Sequence, residues 1–156
     1  VSIKKNSITA YKAKKITSAI NLNKINYYQS DKYWEKIIPK DNYFIIERDE
    51  FYILRSKELI TIKNDQAAEL EPYKDSFGNF RVHYAGFFDP GFGNNIIGTP
   101  AVLELRAYDT PFIIRDGQLV GVLNYYKIDE IKKQSYGVKI KSNYFNQNLK
   151  LAKQFK

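Results

Sequence analysis

His83-Tyr84-Ala85-Gly86-Phe87-Phe88-Asp89-Pro90-Gly91-Phe92-Gly93, followed after a short polar insert by Ala101-Val102-Leu103-Glu104-Leu105-Arg106, is the stretch on which the reading of this chain turns. It has the form of an apolar run, a Pro-Gly turn and a second apolar run, which is how strand, turn and strand look in sequence. It also sets two carboxylates in apolar surroundings. Asp89 opens the turn, and Glu104 stands inside a run of strand formers. A lone acid in an apolar strand is costly to bury unless something pairs with it or uses it.

The same grammar extends outward. Tyr43-Phe44-Ile45-Ile46, Phe51-Tyr52-Ile53-Leu54 and Leu59-Ile60-Thr61-Ile62 are short apolar runs separated by charged turns. Phe80 to Phe88, Ala101 to Ala107, Pro111 to Ile114 and Leu119 to Ile128 continue the series, with turn signals at Phe77-Gly78-Asn79, Asp89-Pro90-Gly91 and Arg115-Asp116-Gly117. Many short strands at near-regular spacing predict an all-β barrel or sandwich. One helix is expected over Tyr27 to Ile38: Ser30-Asp31 offers an N-cap, Tyr33, Trp34 and Ile37 share a face, and Pro39 stops it. Residues 1–26 read as short extended pieces such as Ile16 to Leu22, and the chain from Ser135 onward as a tail that needs a partner or ligand to order it. The expected organisation is one domain over 1–156, with 1–40 as lead-in and 135–156 as tail.

Composition excludes several chemistries. The chain has 156 residues, 44% hydrophobic, with no Cys and one His. No disulfide or thiolate metal site can form, the zinc-deaminase Cys pair is absent, and one His cannot build a His-rich zinc site. There is no P-loop and no nucleophile elbow. No apolar run reaches membrane-spanning length, and the opening Val-Ser-Ile-Lys-Lys lacks the apolar core of a signal peptide, so a cytoplasmic protein is expected. The net charge is +8, and seven lysines with no acid fall between Ile131 and Lys156. Such clusters attract polyanions, although a solvated lysine surface gives the same pattern.

What remains is carboxylate chemistry. Glu104 can serve as a general acid/base, or be an edge-strand glutamate paired with Arg106 or Arg81, which spacing alone favours. Asp89 before Pro-Gly reads on spacing as a turn residue, and His83 as a core or interface histidine.

Tyr84 to Gly93 followed by Ala101-Val102-Leu103-Glu104, with Glu50 to Leu54 upstream and Asp116 to Gly121 downstream, resembles the deoxycytidine triphosphate (dCTP) deaminases of the trimeric dUTPase-like superfamily. The likeness is strongest to the second half of the long, two-half alphaproteobacterial type, which carries the Phe80-to-Gly93 wording. It extends to the closing Tyr136-Gly137, Ser142-Asn143-Tyr144 and Leu149 to Phe155.

The resemblance implies a dUTPase-like β-clip or distorted barrel and zinc-independent conversion of dCTP to dUTP and ammonia. It makes Glu104 the proton shuttle. Tyr84, Ala85 and Gly86 would meet the pyrimidine edge, Asp89 the deoxyribose, and Tyr144 and Gln147 the phosphates. It further implies Mg²⁺ on the triphosphate, and a homo-oligomer or a complex with a first-half polypeptide, with the site between subunits. Neither a membrane nor nucleic acid is the expected partner, although single-strand binding on a small β-barrel is a distinct third reading. One stretch departs from the family. Where a Ser/Arg phosphate loop is expected, this chain reads Ala68-Glu69-Leu70-Glu71-Pro72-Tyr73, so a catalytically incomplete nucleotide-binding or structural remnant is the alternative.

Overall fold

The structure is a computed structural model that describes residues 1–73, 80–82, 86–94, 97–128 and 148–156. Its centre is a five-stranded antiparallel sheet built on two long strands, β4 (Phe51–Ile60) and β8 (Thr99–Ala107). These pair Phe51 with Arg106, Ile53 with Glu104 and Ile60 with Thr99. Outside β4 lie β1 (Ala10–Ala13) and then β2 (Trp34–Ile37); outside β8 lies β6 (Phe80–Val82). A second sheet runs in the order β10 (Gly121–Lys127), β5 (Gln66–Pro72), β7 (Phe87–Phe88). A third pairs β3 (Tyr43–Ile46) with β9 (Phe112–Arg115). The fold is all-β.

All three sheets feed one core. Alternation along β8 sends Ala101, Leu103, Leu105 and Ala107 inward, where they meet Tyr52 and Leu54 of β4, Phe44 and Ile46 of β3, Ala68 of β5, Phe88 of β7 and Ile114 of β9. Leu54 and Leu105 are wholly buried, and each such side chain contributes about 1.5–3 kcal/mol. The period of two then forces Val102, Glu104 and Arg106 to the opposite face.

Several expectations from sequence need correction. The runs Phe51 to Leu54 and Leu59 to Ile62 do not flank a turn. They belong to one strand with a bulge between Arg55 and Leu59. Ser56 stitches the bulge: its hydroxyl donates to the Glu58 carbonyl (2.6 Å) and accepts from the Ala101 N–H (2.9 Å). The expected helix is a single turn, α1 (Ser30–Tyr33), whose N-cap is Gln29. Trp34 onward is β2, because pairing Ala13 with Trp34 and Ala10 with Ile37 gives this segment a full ladder that an isolated short helix cannot match. Residues 1–40 therefore supply β1, α1 and β2. Ile16 to Leu22 forms no strand, and Ile16 is 99% exposed. Phe80 to Phe88 is divided between two sheets, since β6 pairs with β8 and β7 with β5.

The end of the chain is held by the chain itself. Tyr27 and Tyr28 N–H groups both donate to the Gln154 carbonyl at 3.0 Å, and the Lys156 N–H donates to Tyr28. Phe155 sits among Tyr28, Tyr33 and Trp34, with ring centroids 5.5 Å from Tyr33 and 6.0 Å from Trp34. Aromatic pairs at these spacings add stabilisation beyond area burial. The described part of the expected tail, 148–156, is thus anchored by contacts within the chain.

Candidate active site

Glu104 projects from the middle of β8 on the face turned away from the core. Its strand is not a sheet edge: β4 lies on one side and β6 on the other, although the described β6 pairing ends at Val82 opposite Leu105. Ile53, 8% exposed, stands directly across from Glu104, and Tyr11 of β1 stands across from Ile53. Val102 and Arg106 flank Glu104 along its own strand. The carboxylate is half-buried against an apolar row, and among the described residues it has no hydrogen bond or ion pair. The edge-strand reading with Arg106 as partner is therefore overturned: β8 is an inner strand, and the two side chains lie side by side unpaired. The Arg81 side chain lies outside the described residues.

Arg106 lies over the Phe51 ring, its guanidinium carbon 5.8 Å from the centroid. Its Nε is buried and has no hydrogen-bond partner. The described C-terminal segment reaches this same face. The Arg55 guanidinium donates to the Asn148 side chain, and Phe155 packs on Trp34, which in turn packs on Phe51. Sequence reasoning gave no role to Phe51, Ile53 or Arg55. The signal was present in the i, i+2 pattern of β4, whose second face matches that of β8.

Gly86 and Asp89 have well-defined places. The Gly86 carbonyl accepts from the Leu70 N–H at 2.7 Å, and a Cβ on Gly86 would come within 2.6 Å of the Leu70 Cβ. Gly86 is thus required where β7 closes on β5. Asp89 is exposed and opens a turn, its carbonyl accepting from the Phe92 N–H at 3.1 Å. The turn is tied to Ile62 through the Gly91 N–H and the Phe92 carbonyl, past the Ile60–Thr99 end of the β4–β8 ladder. Thr99 lies five residues down β8 from Glu104, about 17 Å at the usual rise per residue. The turn and Glu104 mark different levels of the sheet, and a ligand that spanned them would have to be elongated. Tyr84, Ala85, Tyr144 and Gln147, and also His83, lie outside the described residues.

The stretch Ala68 to Tyr73 forms no loop. It falls almost entirely within β5, the middle strand of its sheet, with Glu69 and Glu71 exposed on the outer surface. Burial and then the charges of Glu69 and Glu71 push the Tyr126 phenol above its ordinary value. Among the described residues no three His, Cys, Asp or Glu side chains converge, so this part of the chain builds no cation cage.

The profile of the family described as "2'-deoxycytidine 5'-triphosphate deaminase (DCD), C-terminal domain" matches residues 1–155. The chain belongs to the dCTP deaminase C-terminal domain family. Its fold is that of a crystallised 2'-deoxycytidine 5'-triphosphate deaminase from Agrobacterium tumefaciens. The TM-score is 0.76 at 39% identity, over 83% of this chain and 39% of the other. Two curated relatives named "dCTP deaminase, dUMP-forming" are similar as well. The one from Clavibacter michiganensis is 34% identical over 98 residues (60% of this chain, 46% of the relative), and the one from Beutenbergia cavernae is 31% identical over 104 residues (64% and 51%). The chain spans about half the length of the curated relatives it matches. Among its described residues no helix is long and apolar enough to cross a membrane.

Proposed function

We propose that this chain supplies the glutamate-bearing wall of a dCTP deaminase site and that Glu104 is the catalytic residue. The observation that carries the reading is an ionisable side chain with no partner among the described residues, set mid-way along β8 in half-buried, apolar surroundings. A carboxylate free of ion pairs and partly shielded from water can take a proton from an attacking water and deliver one to the leaving amine. In the proposed reaction, water adds at C4 of the cytosine ring as one of its protons passes through Glu104 to N3; the second, from the resulting C4 hydroxyl, passes through Glu104 to the exocyclic nitrogen, the C4–N bond breaks, C4 becomes a carbonyl and ammonia departs. Nothing in this scheme uses zinc. Mg²⁺ enters with the triphosphate, which carries the oxygens a hard cation favours.

The second wall is proposed to come from another polypeptide. Support comes from β5, which stands where a Ser/Arg phosphate loop was expected and presents two acids to solvent. Like charges repel a triphosphate, so phosphate binding requires groups from elsewhere. The expected product was dUTP, whereas the curated relatives are named for dUMP. The assay must therefore separate the two. The outer face of β5 equally favours a remnant that keeps the fold and some nucleotide affinity without catalysis. Conversion of dCTP by this chain mixed with a first-half polypeptide, and its loss with Glu104→Gln, separates the two readings.

A further inference from the structure

Arg106 is the side chain whose hydrogen-bonding capacity the fold leaves unused. Its Nε is buried without a partner, and a buried unsatisfied donor carries a desolvation penalty that proteins rarely leave unanswered. Its plane is held against Phe51, so the head group is positioned. It stands two residues from Glu104 on the same face of β8 and forms no ion pair with it. Residues i and i+2 of a strand are about 7 Å apart. The face therefore sets a carboxylate and a guanidinium one strand repeat apart, with no hydrogen bond or ion pair between them or to another described side chain. The other orphaned donor among the described residues, Trp34 Nε1, lies three strands from β8, where the ring packs between Phe155 and Phe51.

We infer that Arg106 is a substrate-contacting, specificity-determining residue that donates a hydrogen bond to the acceptor edge of the pyrimidine while Glu104 works at its amine edge. The inference rests on the reading of this face as the dCTP site. A cytosine ring has an amine donor at C4 and a carbonyl acceptor across the ring at C2, which matches a carboxylate beside a guanidinium. The buried Nε over Phe51 fixes the direction of the guanidinium, whose terminal nitrogens meet the ring and orient it so that C4 faces Glu104.

The test is dCTP binding by calorimetry to the chain mixed with a first-half polypeptide, as wild type, Arg106→Met and Arg106→Lys, with a melting curve for each chain. Met keeps the contact with Phe51 and removes every donor. Arg106→Met is expected to weaken dCTP about ten- to a hundred-fold while its melting temperature holds or rises, because the orphaned group is gone. Arg106→Lys should recover part of the affinity. Inorganic triphosphate should compete with dCTP equally against wild type and Arg106→Met. Unchanged dCTP affinity in Arg106→Met overturns the inference, as does a melting temperature that falls together with affinity, which marks a structural role. Triphosphate competition weakened by the Met variant assigns Arg106 to the phosphates and also overturns it. No dCTP binding by the wild-type chain mixed with a first-half polypeptide overturns the proposed function itself.

Discussion

Glu104 faces Ile53 directly across the β4–β8 ladder, on the side of the sheet turned away from the core. The pairing places a carboxylate against a nearly buried aliphatic side chain, with no cation among the described residues to neutralise it. Replacing Glu104 by Gln keeps the shape and removes the charge. Since no ion pair is lost, stability should change by less than about 0.5 kcal/mol. A urea titration of both proteins checks this, and a large loss of stability would mean that the carboxylate is structural.

Gly86 meets Leu70 where β7 closes on β5. A methyl group there collides with a side-chain carbon fixed by a middle strand. Gly86→Ala should cost about 1–3 kcal/mol through overpacking. The urea midpoint should fall with an unchanged slope; no shift would show that the β5–β7 contact yields easily.

Phe155 secures the end of the chain among Tyr28, Tyr33 and Trp34. It is half-buried, so Phe155→Ala should cost about 1–3 kcal/mol, below the value for a fully buried ring. The loss should appear locally, as faster proteolytic trimming of the C-terminus and faster amide exchange at Tyr27, Tyr28 and Lys156. Exchange unchanged at these amides would show that the backbone bonds alone hold the segment.

Asp116 ties the β9–β10 turn to the start of the chain, accepting from the Lys57 ammonium and from the Ile3 N–H at 2.9 Å. The bond from Lys57, then that from Ile3, holds its carboxyl below the ordinary carboxylate value. A folded pKa lower than the unfolded one stabilises above the unfolded value of 3.8 and loses that contribution as pH falls through the folded value. The pair is partly solvated, so the effect is at most about 1 kcal/mol. Asp116→Asn should flatten the stability–pH curve below about pH 4 relative to wild type; parallel curves would contradict the assignment.

The regular strands were legible from the chain. Tyr43–Ile46 and Ala101–Ala107 alternate cleanly because one face is core and the other is not, and the resemblance singled out Glu104. Other parts were hidden for physical reasons. Gln66–Pro72 is rich in Ala and Glu, poor strand formers, and is a strand because β10 and β7 pair with it on both sides. Tyr33, Trp34 and Ile37 have helical spacing, yet the ladder to β1 overrides it. The Arg55–Asn148 contact joins residues 93 apart, which no local pattern reveals. The position of Arg106 was visible, but its orphaned Nε depends on what packs around it.

The central claim is that Glu104 performs the chemistry of dCTP deamination on one wall of a shared site. The most direct measurement is ammonia and uracil-nucleotide release from dCTP by this chain mixed with a first-half polypeptide, using wild type and Glu104→Gln side by side, with products resolved as dUTP or dUMP. Turnover is expected with the wild-type chain, and a loss of at least about a thousand-fold with Glu104→Gln, with dCTP still bound. Deamination by the Gln variant within about ten-fold of wild type, or none from a wild-type mixture that binds dCTP, would contradict the claim.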